Sequence, residues 1–181
     1  MDFNDLTEEK ISSEDIFKGK ILYIKKDKVK LPNGKTADRE LVRHIGAVCV
    51  IPVTDDGKVI LVRQFRYPIG ETVLEVPAGK LDSPDEDRLE AAKRELREET
   101  GFTADEWTDL GIYYPSPAYC DEKLTVYLAR GLHKGEQSLD EDEFLNVRIR
   151  DLSALVTDVM SGEITDGKTQ VAVLKAAMLL L

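Results

Sequence analysis

One change of period governs what this chain can fold into. Before Val76 and again between Trp107 and Arg150, apolar residues fall into short runs with the two-residue rhythm of strands. Between Glu86 and Thr100, however, Leu89, Ala92 and Leu96 recur at i, i+3 and i+7. That spacing draws one apolar stripe along an amphipathic helix, and such a stripe must be buried against another element. Ser83 and Pro84 precede the segment and Gly101 follows it, where a residue free to take left-handed backbone ends a helix.

The flanking segments read as strands. Lys20 to Leu31 and Thr36 to His44 alternate about Pro32-Asn33-Gly34-Lys35, which predicts an antiparallel hairpin. Gly46 to Val53 and Lys58 to Arg66, joined by Asp55-Asp56-Gly57, read as a second and more deeply buried hairpin, and Thr72 to Val76 as a further short strand. Strands are expected again at Trp107 to Tyr114, Lys123 to Arg130 and Asn146 to Arg150, with helices at Leu152 to Ser161 and about Thr169 to Leu181. The order strands, helix, strands, helices predicts an α/β (α+β) sandwich and not a regular βαβ winding. The 181 residues suit one sizeable core with a short appendage, so residues 1–44 are expected as an N-terminal segment and hairpin and residues 45–181 as the main domain.

Charge narrows the partners. The chain carries 25 Lys and Arg against 35 Asp and Glu, a formal net charge of −10, which disfavours a polyanionic partner such as nucleic acid. No apolar run reaches the ~18 residues needed to span a bilayer, and Asp2, Asp5, Glu8 and Glu9 open the chain where a secretion signal would be basic. A cytoplasmic protein without membrane partners is the expectation. Cys49 and Cys120 lack paired-ligand spacing and read as free thiols; with two histidines only, a bound metal would need hard oxygen ligands.

Those oxygens are concentrated on the central helix. With about 100° per residue and Glu95 at zero, Glu99 falls near 40° and Glu98 near −60°, so three carboxylates share one arc beside the apolar stripe. Like charges at i and i+4 repel, the more so as solvent is withdrawn, and Mg²⁺ or Mn²⁺ would compensate them while attracting phosphate. Neither G-x-G-x-x-G nor G-x-x-x-x-G-K-[ST] occurs, so a phosphate must be held in another way than by those backbone cradles.

Arg94-Glu95-Leu96-Arg97-Glu98-Glu99-Thr100-Gly101-Phe102, with Glu86 eight residues before Arg94 and Gly79 ahead of it, resembles the signature of the Nudix hydrolases, G-x5-E-x7-R-E-U-x-E-E-x-G-U with U a bulky aliphatic residue. Two positions depart: six residues separate Gly79 from Glu86, and Phe102 replaces the last aliphatic. Pro117, sixteen residues after Gly101, together with Leu61-Val62-Arg63-Gln64-Phe65-Arg66 and Leu74-Glu75-Val76-Pro77-Ala78-Gly79, looks like the ADP-ribose pyrophosphatase branch.

The resemblance implies an α/β/α sandwich around a mixed sheet, and Mg²⁺-dependent hydrolysis of ADP-ribose or a related nucleoside diphosphate sugar to a nucleoside monophosphate and a sugar phosphate. GDP-mannose or another sugar nucleotide, and a non-catalytic sensor of ADP-ribose or NAD-like ligands, stay open as alternatives. It implies Glu95, Glu98 and Glu99 as metal ligands with the Ala78 carbonyl, and Gly79, Glu86, Arg94 and Gly101 as structural members of the motif. The acidic stretch Ser138 to Glu143 lies where relatives carry a catalytic loop, so Glu141 is expected as general base and Glu143 as an auxiliary metal contact; Glu98 and Glu122 are rival bases. Arg39, Arg66, Glu75, Pro117 and Glu122 are expected around the substrate. Alternation puts Arg63 on the opposite face from Arg66. The N-terminal hairpin is expected to cross to a partner in a homodimer.

Overall fold

Strand pairing in the computed structural model, which describes residues 5–141 and 143–181, divides the chain into two compact units. The first runs through Ile45 and includes Tyr114–Lys123. Its sheet is an antiparallel meander of β1 (Glu9–Lys18), β2 (Tyr23–Lys30) and β3 (Thr36–Arg43). The expected hairpin is β2 and β3, in register from Tyr23 opposite Arg43 to Lys30 opposite Thr36, with Gly34 at the turn in left-handed backbone (φ 81°). Strand β1 is an addition. Its pairing with β2 skips Ile11 and Ile16, and these two bulges break the alternation by which a strand is recognised. The strand lies exposed along its whole length. The Tyr114–Lys123 segment is bound to the end of β3: Val42 N–H donates to the Tyr119 carbonyl (2.7 Å), and Arg43 pairs with Asp121 (2.7 Å).

The second unit has two sheets. The larger is mixed, in the order β7 (Ala78–Lys80), β4 (Ala47–Pro52), β9 (Leu124–Lys134), β8 (Phe102–Tyr113), with β4 and β9 parallel. The smaller is antiparallel, with β5 (Lys58–Arg66) between β10 (Leu145–Asp151) and β6 (Glu71–Glu75). Every residue of β4 is buried, and its two faces serve different cores. Val48 and Val50 pack with Ala91, Ala92 and Leu96 of α1 (Arg88–Thr100). Cys49 and Ile51 pack with Leu152 and Leu155 of α2 (Leu152–Ser161) and Val173 and Ala176 of α3 (Gly167–Leu180). Helices thus cover both faces, as an α/β/α sandwich requires. No helix among the described residues is long and apolar enough to cross a membrane. Both cysteines are free.

Two expectations need correction. Gly46 to Val53 and Lys58 to Arg66 do not form a hairpin: their strand pairing is a single bridge, Val53 to Val59, and they enter different sheets. A strand buried on both faces belongs inside a sheet, and β7 and β9 take the two edges of β4. The central helix also begins two residues later than its apolar pattern suggested. Asp87 caps it, accepting from the Leu89 (2.9 Å) and Glu90 (3.0 Å) amides, and this frees Glu86 for another contact.

Candidate active site

The carboxylates of α1 are held where the helix passes β7. Glu95 and Glu99 are buried although ionisable, and Glu98 is half-buried. Gly79 permits the approach, since a Cβ at that position would fall on the Glu95 carboxylate. The Ala78 amide donates to Glu99 Oε2 (3.0 Å). Gly101 closes the helix in left-handed backbone (φ 75°), donating to the Arg97 carbonyl (2.8 Å), and a side chain there would also meet the backbone of Gln137.

Arg94 stands among the acids. Its guanidinium lies 2.7 Å from Glu95, 3.3 Å from Glu98 and 3.3 Å from Glu86, and Glu86 also accepts from the Asp82 amide (2.6 Å). The residue inserted between Gly79 and Glu86 is therefore absorbed in the loop, and Glu86 still reaches Arg94. Among the described residues no three His, Cys, Asp or Glu side chains converge on a point that could hold a metal ion. Arg94 accounts for this on the helix, because it takes up oxygens of both Glu95 and Glu98.

The electrostatics leave a deficit of positive charge. Burial pushes the Glu99 carboxyl up to about 8, against the Ala78 hydrogen bond and with help from the charges of Glu95 and Glu143. Burial likewise pushes Glu95 up to about 7, with Arg94 opposing and Glu98 and Glu143 adding to it. Two buried carboxylates with only oxygen donors about them, and neither imidazole nor thiolate, are the donor set of a hard divalent cation. On that chemistry the residues present fit Mg²⁺ or Mn²⁺.

The acidic loop comes to this helix by backbone contacts. Gly135 N–H donates to the Gly101 carbonyl (2.7 Å), Ser138 N–H to the Glu98 carbonyl (3.0 Å), and the Gln137 side-chain amide to the Glu99 carbonyl. The loop thus satisfies carbonyls that the end of a helix leaves without partners. Glu141 and Glu143 are both exposed, and Glu143 bears electrostatically on both Glu95 and Glu99; Asp142 lies outside the described residues.

Arg66 and Glu75 form a fork-to-fork pair at 2.7 and 2.7 Å on one face of the smaller sheet, and Lys168 at the start of α3 completes it by bonding Glu75 and Asp166. Burial raises the Glu75 carboxyl, but the Arg66 hydrogen bond and Lys168 outweigh it, so it stays below the ordinary carboxylate value. Lys168 was not foreseen; Asp166-Gly167 reads only as a break before a helix, and no spacing rule links it to a strand some ninety residues earlier. Asp166 caps α3 through the Thr169 amide (2.9 Å), and the Thr169 hydroxyl accepts from the Val76 amide (2.9 Å). Arg39, Pro117 and Glu122 belong to the first unit. There Arg39 is tied to Glu8 (2.9 Å), Glu122 lies 3.8 Å from His44, and Pro117 is exposed in the segment next to Tyr119.

A helix of acids laid on a Gly-containing β-strand, inside an α/β/α sandwich, defines a class. Residues 43–168 match the NUDIX domain and residues 8–42 the nucleoside diphosphate sugar hydrolase N-terminal domain, so the chain belongs to the Nudix family of hydrolases. It is similar to an ADP-ribose pyrophosphatase of Bacillus subtilis, 45% identical over 170 residues that span 93% of this chain and 91% of that protein. It is also similar to a methanol dehydrogenase activator of Bacillus methanolicus, 42% identical over 171 residues, with 93% and 92% covered. A solved structure described as an ADP compounds hydrolase matches with a TM-score of 0.86 at 25% identity, covering 98% of this chain and 96% of the other.

Proposed function

We propose that this protein hydrolyses the diphosphate bond of ADP-ribose or a related nucleoside diphosphate sugar, releasing a nucleoside monophosphate and a sugar phosphate. The observation that carries the reading is the burial of Glu95 and Glu99 against Ala78 and Gly79, an anionic site with oxygen donors only. The names of the relatives, ADP-ribose pyrophosphatase and ADP compounds hydrolase, support the substrate class. In this reading Glu95, Glu98 and Glu99, the Ala78 carbonyl and Glu143 hold divalent cations, Mg²⁺ or Mn²⁺. When bound, such cations neutralise the diphosphate and polarise water. A Glu of the 138–143 loop accepts the proton of the attacking water, with Glu141 as first candidate and Glu98 and Glu122 as rivals. Arg66, fixed by Glu75, faces the substrate phosphates or the terminal ribose. Gly79, Glu86, Arg94 and Gly101 shape the carboxylate helix.

The same reading makes residues 1–44 the dimerisation element and residues 45–181 the catalytic domain of a cytoplasmic homodimer. The exposed Ile11, Ile16 and Phe17 on β1 support it, being apolar residues without cover in the single chain. Light scattering should give twice the 20.3 kDa chain mass, and a monomer would refute this part.

The test of the activity is a panel of ADP-ribose, GDP-mannose and UDP-glucose at fixed Mg²⁺, with products identified by mass. Preference for ADP-ribose is expected. Preference for another sugar nucleotide replaces the substrate within the same chemistry, and tight binding without turnover on every substrate and metal makes the protein a sensor. The relative named as a methanol dehydrogenase activator favours a second reading, in which the domain acts on a partner enzyme. Stimulation of a dehydrogenase by a catalytically dead Glu99→Gln variant would separate that role from hydrolysis.

A further inference from the structure

Between Glu75, where β6 ends, and Ala78, where β7 begins, the chain passes from the smaller sheet to the larger one. A chain that changes sheets loses its ladder partners at the crossing, and a buried N–H left there without an acceptor costs free energy. The crossing is two residues long. Pro77 has no N–H to satisfy, and its carbonyl accepts from the Val50 amide (2.9 Å). Val76 is fully buried, and its amide donates to the hydroxyl of Thr169 on α3 (2.9 Å), ninety-three residues further along the chain.

Thr169 is itself fully buried, and its hydroxyl both accepts and donates. It accepts from Val76 and donates to Asp166 Oδ2 (2.6 Å); the other Asp166 oxygen accepts from Lys168 (2.9 Å), and Lys168 reaches on to Glu75. Two adjacent residues of the crossing chain, Glu75 and Val76, are thus bound to two adjacent residues of the helix, Lys168 and Thr169, with Asp166 joining the latter pair. A closed ring of this kind favours one geometry, because a displacement leaves a buried member without its partner. What the ring holds lies next to the carboxylates. Strand β7 is three residues long and at the edge of its sheet, with β4 on one side only. Two residues past Val76 the Ala78 amide donates to Glu99 (3.0 Å), and Gly79 lies against Glu95. A strand shifted toward the helix would strike Glu95, and one shifted away would break the Glu99 bond.

We propose that Thr169 is a positioning residue of the carboxylate site: through Val76 it fixes Ala78 and Gly79, against which Glu99 and Glu95 are set, and Asp166 and Lys168 hold it in turn. Groups that orient the ligands of a metal tune its affinity without touching it. The inference rests on the function proposed above in one respect, that Glu95 and Glu99 take divalent cations.

Titration of the full chain with Mn²⁺, followed by the electron paramagnetic resonance of the free ion, tests it without hydrolysis. Thr169→Val keeps the shape of the side chain and removes the hydroxyl, whereas Thr169→Ser keeps the hydroxyl. The Val variant is expected to bind Mn²⁺ at least fivefold more weakly and the Ser variant within twofold of wild type. In turnover the same order should appear in the metal concentration for half-maximal rate, with KM for ADP-ribose at saturating metal changed less than twofold. Lys168→Met opens the ring at its other side and should weaken Mn²⁺ binding at least twofold; it carries the test if Thr169→Val does not fold. Val173→Ala, in the buried face of the same helix, is the control for general loosening: it should lower Tm by leaving a cavity and leave Mn²⁺ affinity unchanged. Mn²⁺ affinity untouched in the folded Thr169→Val or Lys168→Met protein, no rescue by serine, or equal weakening in Val173→Ala would each overturn the proposal. A protein whose Mn²⁺ affinity follows Thr169 but which hydrolyses no nucleoside diphosphate sugar refutes the proposed function and keeps the positioning role. An ADP-ribose hydrolase whose metal affinity ignores Thr169 does the reverse.

Discussion

Gly79 and Glu95 occupy one space: the hydrogen of the glycine stands where any side chain would strike the Glu95 carboxylate. The glycine is thus required by its neighbour and not by its own backbone, which has no positive φ. Gly79→Ala should therefore push Glu95 off the strand, lowering kcat at least tenfold while costing about 1–3 kcal/mol of stability, as overpacking does. Steady-state kinetics beside thermal melting checks this; full activity would show that Glu95 need not lie against the strand.

Without divalent ions, Glu95 and Glu99 titrate at about 7 and about 8 in place of 4.5. A carboxyl whose value is raised by folding holds its proton more tightly in the folded state. Stability is then full below about 4.5 and declines as pH rises toward 8. Melting in EDTA should accordingly fall from pH 5 to 8, and Mg²⁺ should raise Tm more at pH 8 than at pH 6. Glu99→Gln should flatten the pH profile and remove most of the Mg²⁺ effect and all Mg²⁺-supported turnover. An equal Mg²⁺ effect in that variant would exclude Glu99 as a ligand.

The 138–143 loop offers two exposed acids, of which Glu143 acts electrostatically on the buried pair. Glu141→Gln is expected to lower kcat by 10²–10⁴-fold with little change in KM, the mark of a lost general base. Glu143→Gln should chiefly raise the metal concentration needed for half-maximal rate. Near-normal turnover by the Glu141 variant would return the base to Glu98 or Glu122.

Glu75 joins three elements through Arg66 and Lys168, and its carboxyl is held below 4.5. Such a group stabilises the fold above the ordinary carboxylate value, and the contribution is lost as pH falls through its lower folded value. Glu75→Gln should cost about 2–4 kcal/mol at pH 7, somewhat less than a fully buried pair because Arg66 is partly exposed. The gap between variant and wild type should narrow below pH 4, which urea titrations at pH 7 and pH 3.5 would show. A constant gap would mean that packing, not charge, is lost.

Local signals in the chain determined most of the elements and the chemistry of the site. The helix of Glu95, Glu98 and Glu99 follows from its period, and its end at Gly101 from the one residue type that readily takes that backbone. The Nudix motif carried the family. Partners across space lay beyond such signals. A run like Ala47 to Pro52 declares a buried strand but not that β9 lies parallel to it and β7 beside it, because a two-residue period is the same whichever neighbour is chosen. Strand β1 was hidden by two bulges, and Glu86 could be assigned to Arg94 only once the inserted residue was seen to bulge from the loop. Lys168, Gln137 and Ser138 reach the site by tertiary approach alone, since ion pairs and the carbonyls at a helix end take their partners from whatever the fold brings near. The sequence by itself determined which residues could be acids of a metal site; the tertiary structure decided which were buried, and burial moves their protons.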